Sequence, residues 1–226
     1  MKNPYVLIAT HNRVEITKKN IGCIHACGAK VILVVTDESE AETFRQHGDV
    51  VEIVMHGNLP LGSKWQAGVL KAKEVKADPL IINGSDDILH PLFFERVKES
   101  IAEGFHFFAL RSWYLYDLCN MYRLDYLPNL PLGGGRAYTR ELLEVINYSL
   151  FDKSRDRQLD DLGWGNALNS NLPMKIIKDE PLILSIKGNW NTMNPTYKLL
   201  GSHNVKVRDK IKKPNHVLNE FKICVE

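Results

Sequence analysis

Apolar residues in roughly the first 90 positions fall into short runs separated by stretches with a helical repeat. Tyr5–Ala9, Val31–Val35, Val50–Met55 and Leu80–Asn83 are wholly or mainly apolar. Runs of this length without polar alternation predict strands buried on both faces, as in a parallel sheet. Between them lie Val14–Cys27, stopped by Gly28, and the shorter Ser39–His47, stopped by Gly48. A third helix is predicted after Ser63, a capping residue, with Trp65, Val69, Ala72 and Val75 on one face. The order β-α-β-α-β-α-β predicts an α/β fold, a mostly parallel sheet flanked by helices.

The second half is less regular. Pro91 is well placed to open a helix that runs to about Glu103, and Phe105–Leu110 reads as a strand. Trp113–Tyr126 predicts further strands or a hairpin. Pro128, Pro131 and Gly133-Gly134-Gly135 then mark a loop that needs backbone freedom. Thr139 is a cap for a helix to about Asn147, and Leu159–Asn169 reads as another helix. The charged stretch Phe151–Gln158 is expected to be exposed. Lys175–Ile177 and Leu182–Ile186 are short strands, and from Asn189 the polar chain is expected to wrap the surface without regular structure.

A length of 226 residues suits one large α/β domain or two small ones, and neither an internal repeat nor a linker divides it. With 44% hydrophobic and 25% charged residues, the composition is that of a soluble globular protein. A formal charge of +2 does not by itself point to nucleic acid. The 4 cysteines show no Cys-x-x-Cys spacing, so free thiols in a reducing compartment are expected. Cys23 and Cys27, with His25 between them, resemble half a metal site, yet their spacing also suits small side chains on a buried helix face. Val6–Ala9 is too short for a signal-peptide core or a membrane span, and the cytoplasm is the default expectation.

The chemistry concentrates at Leu80-Ile81-Ile82-Asn83-Gly84-Ser85-Asp86-Asp87-Ile88-Leu89, where a buried strand runs into a turn ending in two carboxylates. Side chains at the carboxyl end of such a strand project into the crevice where open α/β sheets bind ligands. Adjacent carboxylates repel, so they favour a shared cation, and magnesium or manganese shared with substrate phosphates suits them. The structural alternative is a solvated turn in which Asp87 caps the next helix. Other phosphate and hydrolase sites are excluded by what is missing. Thr10-His11-Asn12-Arg13, after the first strand, has none of the glycines of a dinucleotide fingerprint. Gly62-Ser63-Lys64 has P-loop residues in the wrong order, and no Gly-x-Ser-x-Gly elbow occurs.

Taken together, these segments resemble the family-2 glycosyltransferases across roughly residues 4 to 186. Thr10-His11-Asn12-Arg13 stands where the family has Thr-Tyr-Asn-Arg, and Thr36-Asp37 where it has a base-binding Asp. Asn58–Trp65 is similar to its approach to the third helix, and Gly84-Ser85-Asp86-Asp87 to its Asp-x-Asp-Asp metal motif, the DXD motif. Gly133–Arg140 matches its acceptor-side Gly-Gly segment, and Asp160-Asp161 its catalytic Glu-Asp pair. Each match is weak alone; six in order make a specific pattern. Two positions depart from it: Gly84 replaces the first Asp of the metal motif, and His11 replaces the Tyr.

The resemblance implies a GT-A fold (Rossmann-like, of the spore-coat polysaccharide synthesis protein type) with a small acceptor-side subregion. It divides residues 1–188 into a nucleotide-binding half, 1–90, and an acceptor-side half, 91–188, with a basic extension, 189–226, packed on the same domain. It implies an inverting enzyme that moves sugar from a nucleoside-diphosphate donor, UDP first among them, with Mn2+ or Mg2+. Asp87 would bind the metal and Asp161 would be the general base. Thr10, Arg13, Asp37, Lys64 and Asp86 would hold the nucleotide or its diphosphate, and Gly134 and Gly135 would let the backbone approach sugar or acceptor. Residue by residue, alternatives stay open: Arg13 and Lys64 as surface residues, Asp160 and Asp161 as helix caps, Trp164 as core rather than acceptor pocket. Saccharide and lipid-linked acceptors are favoured. The basic run Lys206, Arg208, Lys210, Lys212 and Lys213 leaves modified DNA or an anionic membrane surface open beside a plain solvated tail. The competing functions are a sugar-nucleotide nucleotidyltransferase, which would need a glycine-rich basic loop after the first strand, and a non-catalytic sugar-nucleotide-binding or interaction domain.

Overall fold

The computed structural model describes residues 1–46, 48, 51–126, 131–156, 161–188, 200 and 205–221. Its first part alternates β1 (Tyr5–Ala9), α1 (Val14–Ala26), β2 (Lys30–Val35), α2 (Glu38–Arg45), β3 (Val51–Met55), α3 (Leu61–Glu74) and β4 (Leu80–Ile82). There follow β5 (Asp87–Leu89), α4 (Pro91–Ala102), β6 (Phe107–Leu110), β7 (Ser112–Tyr116), β8 (Met121–Tyr126) and β9 (Arg136–Tyr138). The chain continues through α5 (Arg140–Val145), α6 (Asp161–Asn169), β10 (Met174–Ile177), β11 (Ile183–Ile186), β12 (Val205–Ile211) and α7 (Pro214–Glu220).

The main sheet has seven strands in the order β10-β6-β9-β4-β1-β2-β3. β1 runs parallel to both β2 and β4, β2 to β3, and β10 to β6, while β9 is antiparallel to β4 and β6. This is an α/β fold with a mostly parallel sheet. Strand β1, flanked on both sides, shows why the apolar runs are continuous: Val6 and Ile8 enter one apolar cluster, with Ile21, Ile24 and Phe44. Tyr5 and Leu7 enter the cluster on the opposite face, with Val69 and Ala72. Helix α3 lies so close that a Cβ on Gly68 would fall 2.2 Å from Leu7 Cδ1.

A second sheet, β12-β8-β7-β11-β5, stands beside the first. It contains the hairpin β7–β8, with Trp113 paired to Leu124. Helix α7 closes it, placing Val217, Leu218 and Phe221 against Ile88, Met121, Leu184 and Ile186.

Several elements differ from the sequence expectation. Helix α3 begins at Leu61 after Pro60 rather than at a Ser63 cap. The amide of Leu61 donates to Asp156 Oδ1 and that of Gly62 to Arg155 O, so the charged stretch after Phe151 seals a helix N-terminus, and Phe151 itself is buried. Asp87 opens a strand instead of capping α4, whose cap is His90, bonded through Nδ1 to the Leu92 amide. Part of the basic tail is the strand β12, paired antiparallel with β8, and α7 follows it, so this region has regular structure. Residues 189–199 lie outside the described residues. Cys23 and Cys27 pack against two different apolar clusters, which removes the half-metal-site reading. Among the described residues no helix is long and apolar enough to cross a membrane.

Candidate functional site

In the main sheet the chain turns one way from β1 to reach β2 and the other way to reach β4. The carboxyl ends of β1 and β4 therefore flank the switch point, where open α/β sheets leave a crevice. The segment after β1 carries Arg13, and the segment after β4 carries Ser85, Asp86 and Asp87. They meet across the crevice: Arg13 Nη1 donates to Asp86 Oδ1 at 3.2 Å and to Ser85 Oγ at 3.3 Å. The other oxygen of Asp86, Oδ2, accepts from Lys187 Nζ at 2.8 Å, just beyond the end of β11. Asp86 is thus buried between two cations.

Asp87 faces differently. Its main chain pairs with Ser185 of β11. Burial, and next the adjacent Asp86 carboxylate, push the Asp87 carboxyl above the ordinary carboxylate range; Lys187, the Ser185 hydroxyl and Arg13 oppose the rise. Its Oδ2 lies between two glycines. A Cβ on Gly84 would stand 2.4 Å from that oxygen and one on Gly134 would stand 3.1 Å from it. A side chain at position 84 would therefore meet the Asp87 carboxylate, which would have to turn away from its present place. Gly135, with φ of 71°, turns the chain in a left-handed conformation, and its amide donates to Ile82 O at 2.7 Å.

The turn is fixed from below by two asparagines that the sequence reading missed. Asn20 Nδ2 donates to Gly84 O at 3.1 Å and to Asp87 O at 2.9 Å. Asn83 Nδ2 donates to Asp87 O at 2.6 Å and to Gly84 O at 3.3 Å. Both side chains are fully buried. Asn20 could have been noticed, since it falls on the buried stripe of α1 with Thr17, Ile21 and Ile24, where a polar side chain needs partners. Lys187, following an apolar strand, carried the plainer signal of a cation at a strand end.

Two further expected site residues, Thr10 and Lys64, sit in the layer beneath the crevice. Lys64 is neither a surface lysine nor open to a ligand; it is 1% exposed. Its ammonium donates to Thr10 O at 2.5 Å, Thr36 Oγ1 at 2.7 Å and Asn58 Oδ1 at 3.4 Å, tying together the segments after β1, β2 and β3. Desolvation lowers its pKa to about 8, against the opposing pull of Glu40 and Asp37. The Thr10 hydroxyl points inward to Thr17 Oγ1, 3.1 Å away. Asp37 is exposed and caps α2, accepting from the Glu40 amide at 3.0 Å. Glu40, also missed, is buried and accepts from the Asn12 amide at 2.6 Å and the Thr36 amide at 3.0 Å. Asp161 begins α6; its side chain and all of Asp160 lie outside the described residues. Trp164 packs against Phe107, with ring centroids 5.5 Å apart.

Of the sequence-predicted residues, Arg13, Asp86, Asp87, Gly134 and Gly135 converge on the crevice, while Thr10 and Lys64 support it from within. Asp87 Oδ2, which lies against the Gly84 and Gly134 backbones, has the chemistry of a ligand for a hard divalent cation. Asp86 fits that role poorly, since each of its oxygens already has a cation.

No protein-family model matches the chain, and no curated protein matches it. Solved structures do. The inositol-1-phosphate CTP transferase from T. maritima aligns with a TM-score of 0.54 at 13% identity, over 88% of this chain and 94% of that one. A protein from Desulfovibrio desulfuricans G20 assigned as a nucleotide-diphospho-sugar transferase aligns with a TM-score of 0.50 at 12% identity, over 79% of this chain and 80% of that one. At such identities the likeness is one of fold alone: this chain shares the α/β architecture of these two structures, a mostly parallel sheet flanked by helices.

Proposed function

We propose that the protein is a metal-dependent inverting glycosyltransferase acting on a nucleoside-diphosphate sugar, UDP-sugar first among the candidates. The observation that supports this most is the Gly84–Asp87 turn at the switch point, with Arg13 and Lys187 on Asp86 and Asp87 Oδ2 against the Gly134 backbone. A bound Mn2+ or Mg2+ would offset the charge that develops on the departing diphosphate. Asp87 would be its carboxylate ligand. Arg13 and Lys187 would present their remaining N–H groups to the diphosphate. Lys64 and Glu40 would keep the segments after β1 and β2 in place for the nucleotide, and Gly134 and Gly135 would admit the sugar close to the backbone. In the transfer itself an acceptor hydroxyl attacks the anomeric carbon. The bond from that carbon to the phosphate oxygen breaks, the diphosphate leaves with the electron pair, and the hydroxyl proton passes to a base. Direct attack inverts the anomeric centre. Asp161, at the start of α6, is the proposed base. Saccharides and lipid-linked sugars are the favoured acceptors, with a modified nucleic-acid base as the less favoured one.

A second reading, nucleotidyl transfer from a triphosphate to a sugar phosphate, follows from what the T. maritima neighbour does. The segment after β1 argues for glycosyl transfer. It holds no glycine, its backbone is tied to Glu40 and Lys64, and its one arginine is turned onto Asp86. A triphosphate site there lacks the mobile basic loop it needs. The two readings release different products, nucleoside diphosphate against inorganic diphosphate. A panel of UDP-, GDP-, TDP- and CDP-sugars and of nucleoside triphosphates with sugar 1-phosphates, each with and without Mn2+, separates them. Thermal stabilisation by a diphosphate sugar with metal, and release of nucleoside diphosphate, is expected; release of inorganic diphosphate would transfer the assignment to the second reading. Asp161→Asn is expected to bind donor normally and to lose transfer, and retained transfer would remove Asp161 from the mechanism.

A further inference from the structure

Asn83 is the last residue before the carboxylate turn, and its amide is used on one side only. The nitrogen donates to two main-chain carbonyls, those of Asp87 and Gly84, which fixes the orientation of the amide. The oxygen, Oδ1, is buried and has no hydrogen-bond partner among the described residues, although Asn83 is 0% exposed. An acceptor left unpaired in the interior forfeits its hydration without compensation, so natural structures seldom keep one without a use. Its direction suggests the use. A Cβ built on Gly134 would lie 3.7 Å from Asn83 Oδ1 and 3.1 Å from Asp87 Oδ2. Two oxygens, one carboxylate and one amide, therefore border the same small space, which exists because position 134 has no side chain.

We propose that Asn83 Oδ1 and Asp87 Oδ2 together form the protein side of a divalent-cation site, Asn83 supplying the second oxygen that position 84 cannot. The inference rests on the metal-dependent reading given above. Amide and carboxylate oxygens are the ligands that Mg2+ and Mn2+ accept, and such ions keep positions for water and substrate phosphate. Asp86 is excluded from the pair by Arg13 and Lys187, and Gly84 by its lack of a side chain. Among the described residues no group of three or more His, Cys, Asp and Glu side chains is placed to hold a metal ion, so the amide oxygen would be an essential part of this site.

The test measures Mn2+ binding to the full chain with no nucleotide, by loss of the free-ion paramagnetic resonance signal. Wild type is compared with Asp87→Asn, Asn83→Ala and Gly134→Ala, and a thermal melt monitors folding. Wild type is expected to bind Mn2+ and Asp87→Asn to lose it. Asn83→Ala should weaken binding at least tenfold. Gly134→Ala leaves the Asn83 and Asp87 hydrogen bonds intact but fills the space between the oxygens, and it should weaken binding at least as much. It decides the matter should Asn83→Ala fail to fold. Wild-type affinity in both Asn83→Ala and Gly134→Ala, with loss in Asp87→Asn, would overturn the Asn83 assignment and leave the metal-dependent reading standing. Absence of Mn2+ binding by the wild type at millimolar concentration would overturn both. Unchanged Mn2+ affinity accompanied by weaker binding of UDP-sugar than of UDP would reassign Asn83 Oδ1 to a sugar hydroxyl.

Discussion

Replacing Lys64 by Met isolates the buried ammonium beneath the crevice. The two side chains have similar length, so packing is largely preserved. What is lost is a charged donor to Thr10 O, Thr36 Oγ1 and Asn58 Oδ1. Hydrogen bonds to a charged group contribute roughly 1.5–3 kcal/mol in all but the most exposed sites, against which the variant recovers the desolvation of the ammonium. A net loss of about 1–3 kcal/mol at pH 7 is expected. The pH dependence gives the sharper signature. The folded-state pKa is about 8 and the ordinary value 10.5, lowered chiefly by desolvation. Between those values the unfolded chain binds a proton that the folded chain has released, so wild-type stability gains with rising pH across the window. Allowing for partial solvent screening, the gain is about 1–3 kcal/mol. Lys64→Met lacks this proton, so the stability gap between the two proteins widens from pH 8 to 10.5. Other titrating groups are common to both and cancel in the difference. Urea titrations at pH 7, 8, 9 and 10 measure it directly. Parallel stabilities across that range would refute the lowered pKa, and a variant as stable as wild type at pH 7 would refute the worth assigned to the three hydrogen bonds.

Asp87→Asn should raise the melting temperature at neutral pH, because it removes a buried carboxylate beside Asp86; each kcal/mol corresponds to roughly 2–4 °C in a chain of this size. With its carboxyl pKa raised in the folded state, Asp87 makes wild-type stability fall as pH rises above 3.8, and calorimetry should find that fall reduced in the variant. Gly84→Asp, which restores the first acid of the metal motif, should weaken donor binding in the thermal-shift panel, since its Cβ would stand 2.4 Å from Asp87 Oδ2; tighter binding would show that the turn can open. Arg208→Ala should lower the urea midpoint at pH 7, because it leaves Asp125 buried with the Ser112 hydroxyl as a remaining partner, while Arg208 itself is exposed. An unchanged midpoint would show that Ser112 suffices.

The α/β character was legible because β1, β2 and β4 are buried on both faces, and such strands leave continuous apolar runs. β5 and β9 were not, for a reason of length. Asp87–Leu89 and Arg136–Tyr138 have three residues each and include a charged one, so no period can be read from them. β12 hid for another reason: its outer residues are charged and largely exposed, and what holds it is the main-chain ladder to β8. Within the site, the carboxylates stood out as types, whereas the asparagines and Lys187 did not. The roles of Asn20 and Lys187 depend on partners 64 to 101 positions away, which sequence spacing does not reveal, whereas Asn83 bonds carbonyls one and four residues along the chain. Lys64 carried a readable signal, since it shares an i, i+4, i+8 stripe with Gly68 and Ala72, small residues pressed against the sheet.

Charge balance in the crevice bears on the choice between a site run by side chains and one that recruits a cation. With both carboxyls ionised, Asp86 and Asp87 would be matched by Arg13 and Lys187 and the groups nearest the turn would sum to zero; with Asp87 neutral, a single positive charge is left over. A diphosphate brings further negative charge into this enclosure, and at separations of a few ångströms an unmatched charge there is worth several kcal/mol even in a moderately polarisable interior. Arg13 and Lys187 cannot supply the match in full without releasing Asp86, which is buried and would then be left unpaired. On the proposed reading an added divalent cation would resolve the conflict: it would offset the diphosphate and draw on Asp87, whose carboxyl burial disfavours ionising without a positive charge nearby. The two acids then differ in role: Asp86 ties Arg13 and Lys187 together across the crevice, while Asp87 would take the ion.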